Sequence, residues 1–167
     1  MEGVWCDEYL PVPVVLCVAR LCPWLRDISC DTFDGEELAD ALESLERVAG
    51  TLKELDLSVD VEEEIEPGNA LRAAEALGHL SSLRLLRVAW DCPSSRACLL
   101  APTLSSLSLL SSLEVTGPPR QGAPPPQEAL GLWPGSLRDV TLQCAGMLGR
   151  VHALLHLGGV TTLRFIG

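Results

Sequence analysis

The chain has 167 residues, of which 47% are hydrophobic, enough for one domain with a buried core and too many for a disordered chain. Its formal net charge of −11 should repel nucleic-acid phosphates and anionic membranes, so we expect a protein partner with a basic surface. No apolar run reaches the roughly 18 residues of a membrane span, and acidic residues precede the most apolar stretch, which argues against a secretory signal.

The first predicted element is a buried helix over residues 10–22, a stretch rich in valine and leucine. Trp24 follows it, and we predict that Trp5, Trp24 and Trp133 lie in the core. The chain carries seven cysteines, an odd number in a protein large enough to fold without disulfides. Reduced thiols are therefore expected, and with no signal or membrane segment the sequence predicts an intracellular, cytoplasmic protein.

A repeat begins after this helix. The segment LKELDLSVD, residues 52–60, has leucine at its first, fourth and sixth positions. The same apolar spacing starts at positions 25, 52, 83, 110, 137 and 160, and a weaker copy comprises Met1, Val4 and Cys6. The fourth and sixth residues of a unit are two apart, so they point to one face of a strand, and the first packs beneath them. The pattern predicts parallel strands at about residues 26–30, 53–57, 84–88, 111–115, 138–142 and 161–165.

Apolar residues at helical spacing separate these strands. The predicted helices lie within residues 36–50, 68–80 and 147–159, with Gly50 after the first and Gly158 and Gly159 closing the third. Glu36 and Glu37 suit the positive end of the first, and Asn69 is the predicted N-cap of the second. Prolines exclude a helix from residues 117–126, where we predict a rigid surface loop. Strand and helix in alternation predict an α/β fold with parallel strands.

This organisation resembles the leucine-rich repeat family, whose unit begins L-x-x-L-x-L and repeats every 20 to 29 residues. The intervals here are 27, 31, 27, 27 and 23 residues, similar to the helix-containing members. The resemblance implies a single domain over residues 1–167, a solenoid of about six repeats in a horseshoe arc. Its curved parallel sheet would lie on the concave side and its helices on the convex side. Because the chain ends in or just after a predicted strand, we expect a segment of a larger array or assembly.

The units depart from the family at the ninth position, where an asparagine or cysteine usually hydrogen-bonds along the turns. That position holds Phe33, Asp60, Asp91, Pro118 and Ala145. Because buried backbone groups require partners, the turns must find other hydrogen bonds.

Sequence motifs for catalysis are missing. The chain contains no phosphate-binding loop, no dinucleotide-binding glycine motif and no nucleophile elbow. His152 and His156 are four residues apart on a predicted helix, but a metal site needs three or four ligands. We therefore predict no enzyme activity, no cofactor and no metal site.

The candidate partner-binding residues are those predicted to face away from the core, with those at the chain's last strand. They are Asp27, Asp31, Glu54, Asp56, Leu85, Arg87, Trp90, Glu114, Phe165 and Ile166. Most of the early members are acidic. An exposed tryptophan beside an arginine is typical of an interface hot spot; the alternative is that Trp90 packs into the turn after its strand.

These observations favour a non-catalytic protein–protein interaction module that presents a curved acidic face to a partner. The alternative is a structural accessory subunit of a large multiprotein assembly, with its end face at Phe165 and Ile166 covered. An enzyme regulator is a distant third possibility, since family members fused to other domains can act in that way.

Overall fold

The structure is a computed structural model that describes residues 9–60, 65–91, 101–117, 134–143 and 159–165. Its centre is one seven-stranded sheet in which all strands are parallel and follow the order of the chain. The strands are β1 (Leu10–Pro11), β2 (Asp27–Thr32), β3 (Glu54–Asp60), β4 (Leu85–Asp91), β5 (Ser112–Thr116), β6 (Asp139–Gln143) and β7 (Thr162–Phe165). The predicted α/β fold is confirmed, and each of the six predicted strands begins one residue later than expected.

The strands pair in the register of the repeat. Leu55 of β3 lies opposite Ile28 on one side and Leu86 on the other, so equivalent positions of successive units are neighbours. Buried residues occupy the first, fourth and sixth positions of most units: Leu25, Ile28, Cys30, Leu52, Leu55, Leu57, Leu83, Leu86, Val88, Leu110, Leu113, Leu137, Val140 and Leu142. Each unit therefore buries its apolar face against the units beside it.

Helices alternate with the strands in the described part of the chain. They are α1 (Val12–Leu21), α2 (Gly35–Leu45), α3 (Pro67–His79) and the short α4 (Ala101–Leu104). A turn of 3-10 helix, Glu46–Val48, extends α2. Helix α1 packs against α2, α2 against α3 and α3 against α4. Their apolar sides and the buried face of the sheet form one hydrophobic core.

Reciprocal side-chain hydrogen bonds fix the start of α2. Asp34 Oδ1 accepts from the backbone N–H of Glu37 at 2.7 Å, and Glu37 Oε2 accepts from the N–H of Phe33 at 2.8 Å. Two helix-start donors that have no intrahelical partner are thereby paired. The predicted acidic opening of this helix is confirmed, since Glu36 and Glu37 lie in its first turn.

The prediction that Asn69 caps α3 is wrong. The helix begins earlier, at Pro67, with Glu66 at the N-cap. Proline suits the first helical position because the N–H that it lacks would have no intrahelical acceptor there. Asn69 lies inside the first turn, where its Oδ1 accepts from Arg72 Nη1 at 3.3 Å.

The prediction of a buried helix over residues 10–22 holds for one side of α1 only. Val12, Val15 and Ala19 are buried, but Leu21 is 76% exposed. Among the described helical elements, α1 packs against α2 and the 3-10 turn that extends it. The placement of Trp24 in the core is also wrong, because this residue is 62% exposed. Trp5 and Trp133 lie outside the described residues.

The weaker first copy of the repeat is in the wrong register. It would place Cys6 opposite Cys30, whereas the structure pairs Leu10 with Cys30. Pro11 follows in β1, and a proline is tolerated there because an edge strand has a neighbour on one side only. The spacing of Met1, Val4 and Cys6, which lie outside the described residues, therefore does not mark the strand.

Hydroxyl groups supply hydrogen bonds between the turns that precede the strands. Ser136 Oγ donates to the carbonyl of Leu110, 26 residues earlier, at 2.7 Å. Three further hydroxyls bond one unit back in the same way: Thr51 to Pro23, Ser111 to Arg84 and Thr161 to Arg138. Successive turns are thus joined at the interval of the repeat, at the end of the sheet opposite to the ninth positions.

Other predictions concern segments outside the described residues. One is the proline-rich loop predicted over residues 117–126, of which only Gly117 is described. Another is the helix predicted over residues 147–159, which carries His152 and His156 and of which only Gly159 is described. In the part of the chain that the structure describes, no helix has the length and apolarity needed to span a lipid bilayer.

Candidate interaction surface

The face of the sheet that points away from the core is here called the open face. It carries two rows of side chains. The third positions of the units form one row: Asp27, Glu54, Leu85, Ser112, Asp139 and Thr162. The fifth positions form the other: Ser29, Asp56, Arg87, Glu114, Thr141 and Arg164. All twelve are half-buried or exposed, as expected for the alternate residues of strands whose other face is buried.

The centre of the fifth-position row is held by its own polar contacts. The Tyr9 hydroxyl, in the residue before β1, donates to Asp56 Oδ1 at 3.3 Å. Arg87 Nη1 lies 3.9 Å from Asp56 Oδ2, and Arg87 Nε lies 3.4 Å from Glu114 Oε2. Tyr9 and one residue from each of β3, β4 and β5 thus follow one line, and Arg87 partly neutralises Asp56 and Glu114.

Partial burial sets the protonation behaviour of this row. Burial raises the pKa of Asp56, the positive charge of Arg87 and the hydrogen bond from Tyr9 lower it, and the charge of Glu114 adds a smaller increase. Burial and the charge of Asp56 together raise the pKa of Tyr9. The row is therefore a set of mutually dependent groups, in which the single charge of Arg87 offsets one of the two carboxylate charges.

The third-position row offers the free carboxylates. Glu54 and Asp139 are exposed, Asp27 is half-buried, and none of the three forms an ion pair within the described ranges. Leu85 lies half-buried between Glu54 and Ser112 in the same row, where it adds an apolar contact. Asp31, two positions beyond Ser29 on β2, is also half-buried and extends the acidic edge.

Trp90 and Phe165 occupy register positions of the buried face rather than of the open face. Trp90 pairs with Val59 in the sheet, and Val59 in turn pairs with Thr32, both of which are buried. Trp90 therefore occupies a register position at which β3 and β2 carry buried residues. The side chain of Trp90 lies outside the described part of the chain. Phe165 pairs with Leu142 at the sixth position of its unit, and Ile166 lies outside the described residues.

Two features were missed by the sequence reasoning. Tyr9 had no visible role, because its contact with Asp56 depends on the register of β1, which the repeat pattern misplaced. The second missed feature was visible in the sequence. Basic residues occupy the second position of four units, at Arg26, Lys53, Arg84 and Arg138. Arg138 fastens a turn, since its Nη1 donates to the carbonyls of Gly135, Leu137 and Gly159 at 3.0, 3.1 and 3.2 Å.

The described residues contain no group of three or more His, Cys, Asp or Glu side chains placed to hold a metal ion. Cys17, Cys22 and Cys30 are free thiols. Burial, with smaller contributions from the charges of Asp31 and Asp56, raises the pKa of Cys30 to about 12. Its thiol is therefore protonated at neutral pH and a poor nucleophile.

No protein-family model matches the chain, and no curated protein matches it in sequence.

Proposed function

We propose that the chain is a non-catalytic interaction module that binds a partner protein through its open face. The units would form a leucine-rich-repeat solenoid, an arc with the sheet on its concave side and the helices on its convex side. Three observations support this architecture: the in-register pairing of equivalent positions, the hydroxyl hydrogen bonds that join turns one repeat apart, and the single core beneath the sheet.

The observation that carries the proposal is the contrast between the two rows of the open face. The fifth-position row is fixed by contacts among Tyr9, Asp56, Arg87 and Glu114. Beside it, the third-position row presents carboxylates that have no ion-pair partner in the described part of the chain. Rigid placement lowers the entropic cost of binding, and unpaired carboxylates attract a basic surface.

The contacts change the roles that the sequence suggested for the acidic residues. Asp56 and Glu114 act as positioning groups, because Arg87 lies against both of them. Asp27 and Glu54 remain as the carboxylates that a partner would contact, joined by Asp139, which the sequence prediction left out. Leu85 would supply the apolar anchor in the same row.

The experiment compares capture by three immobilised proteins. The wild-type chain is set against the double variant Glu54→Lys with Asp139→Lys, which reverses two free carboxylates of the open face. Glu75→Lys is the control, because Glu75 is exposed on α3 away from the sheet. Proteins retained from a cell extract are quantified by mass spectrometry. A partner held by the wild-type chain and the control, and lost with the double variant, supports the proposal; equal retention by all three contradicts it.

A second candidate function is that of an accessory subunit in a multiprotein assembly, buried at one end. The observation in its favour is the exposure of Leu21, the last residue of α1, and of Trp24, three residues later, at 76% and 62%. Large exposed apolar side chains that form a patch are typical of contact surfaces, and these two are close in the chain. Here Leu21→Ser with Trp24→Ser should release the chain from the complex in size-exclusion chromatography, whereas reversal of Glu54 and Asp139 should leave the complex intact.

A further inference from the structure

We propose that Arg26, Lys53 and Arg84 form a second binding site, which holds a short acidic peptide segment of a partner protein along the amino-terminal ends of β2, β3 and β4. These three residues are called the basic row. The site goes beyond the function proposed for the open face, because it has the opposite charge and takes the opposite kind of ligand.

Backbone hydrogen bonds place the three residues on adjacent units. The carbonyl of Arg26 accepts from the N–H groups of Lys53 and Glu54 at 2.6 and 3.0 Å. The carbonyl of Lys53 accepts in the same way from Arg84 and Leu85, at 2.8 and 3.0 Å. Neighbouring strands lie about 4.8 Å apart, so the backbones of Arg26 and Arg84 are about 10 Å apart with Lys53 between them.

The side chains of the basic row have no partners in the described part of the chain. None of the three donates a side-chain hydrogen bond or forms an ion pair there, and Arg26 and Arg84 are exposed while Lys53 is half-buried. Other arginines are used within the fold. Arg72 bonds Asp40 and Glu43 at 2.7 and 2.8 Å, and Arg87 lies between two carboxylates.

Unpaired cations on adjacent strands repel one another, which disfavours the free protein slightly. An anion lying across the row removes that repulsion and gains a charge-assisted hydrogen bond from each side chain. The basic row therefore has the chemistry of an anion site that this part of the chain leaves open.

The dimensions and surrounding charge favour an acidic peptide over a nucleic acid. In an extended peptide, side chains on one side recur every 6.6 to 6.8 Å or so, so about four residues span the row and bring two carboxylates to it. Asp27 and Glu54 follow the row directly, and the net charge is −11. A continuous phosphate backbone would be repelled along its whole length by the acidic surface, whereas a short peptide that ends at the row is repelled mainly by the carboxylates beside it.

The test uses a fluorescent oligoglutamate peptide and measures its binding to the whole chain by anisotropy at low ionic strength. The triple variant Arg26→Gln, Lys53→Gln, Arg84→Gln should lose binding, and each single change should weaken it by up to about five-fold. The control variant Arg20→Gln with Arg47→Gln also removes exposed positive charge, but away from the row, and should bind as the wild-type chain does. Thermal melting curves check that every variant folds.

Three results would overturn the proposal: no binding of the peptide to the wild-type chain, equal binding to the triple variant, or an equal loss in the control. Arg26→Lys with Arg84→Lys keeps the charge and should retain most of the binding. Glu54→Lys separates the two sites, because it should strengthen peptide binding at the basic row while it weakens a basic partner on the open face. Failure of one proposal therefore leaves the other standing.

Discussion

The Tyr9 hydroxyl and Asp56 Oδ1 lie 3.3 Å apart, although 47 residues separate them in the chain. Tyr9 precedes the edge strand β1 and Asp56 lies in β3, so the hydrogen bond passes over β2 at Ser29, whose side chain is small. The contact therefore ties the edge of the sheet to its third strand.

Tyr9→Phe removes this hydrogen bond and should destabilise the fold by about 0.5–1 kcal/mol, because the contact is partly exposed. It should also raise the pKa of Asp56 further, since the bond from Tyr9 lowers that pKa. Carboxyl NMR titration measures the pKa, and urea unfolding measures the free energy. An unchanged Asp56 pKa would show that the contact is not formed in solution.

The raised pKa of Asp56 also gives a pH dependence with a definite sign. The folded chain holds the proton to higher pH than the unfolded chain does, so this residue lowers stability as pH rises from the ordinary aspartate range through the raised value. Asp56→Asn should remove that part of the decrease, and Tyr9→Phe should have no further effect on pH dependence in that background. Unfolding free energies across pH 3 to 7 or so test this.

Leu55 tests the stacking of the units. It is 1% exposed between Ile28 and Leu86, so Leu55→Ala should cost about 2–5 kcal/mol. Leu55→Asp places a charge in the core and should unfold the chain. Leu71→Ala is the control, because Leu71 is 61% exposed and its removal should change stability by less than about 0.5 kcal/mol. A melting curve of Leu55→Asp that matches the wild type would refute the buried position.

The strands were predictable because most units bury apolar residues at the same three positions, the first, fourth and sixth. Leu52, Leu55 and Leu57 can pack only if neighbouring units present equivalent residues, so the spacing alone fixes both strand and register. The edge was not predictable. Leu10 replaces Cys6 opposite Cys30, because an edge strand has one neighbour and tolerates a weaker pattern. Trp24 is likewise exposed at this end of the described sheet.

The candidate surface was predictable in outline and not in its charge distribution. Alternation along the strands places Glu54 and Asp56 on the same side of the sheet. Their different roles depend on Arg87 and Tyr9, which reach Asp56 from another unit and from the edge. Side-chain reach across strands is a tertiary property that a repeat pattern does not encode.

The hydroxyl bonds between turns should contribute measurably to stability. Ser136→Ala removes the 2.7 Å bond to the Leu110 carbonyl, which is partly buried, and should cost about 1 kcal/mol. Ser108→Ala is the control at an exposed turn position. Urea unfolding compares the two variants, and equal stability for both would mean that water replaces the bond without loss.

The described thiols should react very differently. Cys17 is exposed on α1, whereas Cys30 is fully buried with a pKa of about 12. Iodoacetamide should label Cys17 in the folded chain and Cys30 only after unfolding in urea, as read by peptide mass spectrometry. Because an unfolded thiol ionises near 9.0, Cys30 should also lower stability as pH rises from 9.0 toward 12, an effect that Cys30→Ala removes. Equal native labelling of both thiols would contradict the burial.

Charge reversal on the open face should change association more than dissociation. Glu54→Lys with Asp139→Lys is preferred to any change at Asp56, because loss of Asp56 would also break the contacts of Tyr9 and Arg87. Long-range attraction to a basic partner accelerates encounter, so the double variant should associate about ten-fold more slowly at low salt.

Salt and a second variant separate that attraction from short-range contact. The difference in association rate should shrink as salt rises, since screening acts over about 8 Å at physiological ionic strength. Leu85→Ala removes an apolar contact from the same row and should mainly speed dissociation. Glu75→Lys, a single charge reversal on α3 and so half the charge change of the double variant, should leave both rates nearly unchanged. If association proved insensitive both to salt and to the reversal of Glu54 and Asp139, then the partner would not approach through the open face.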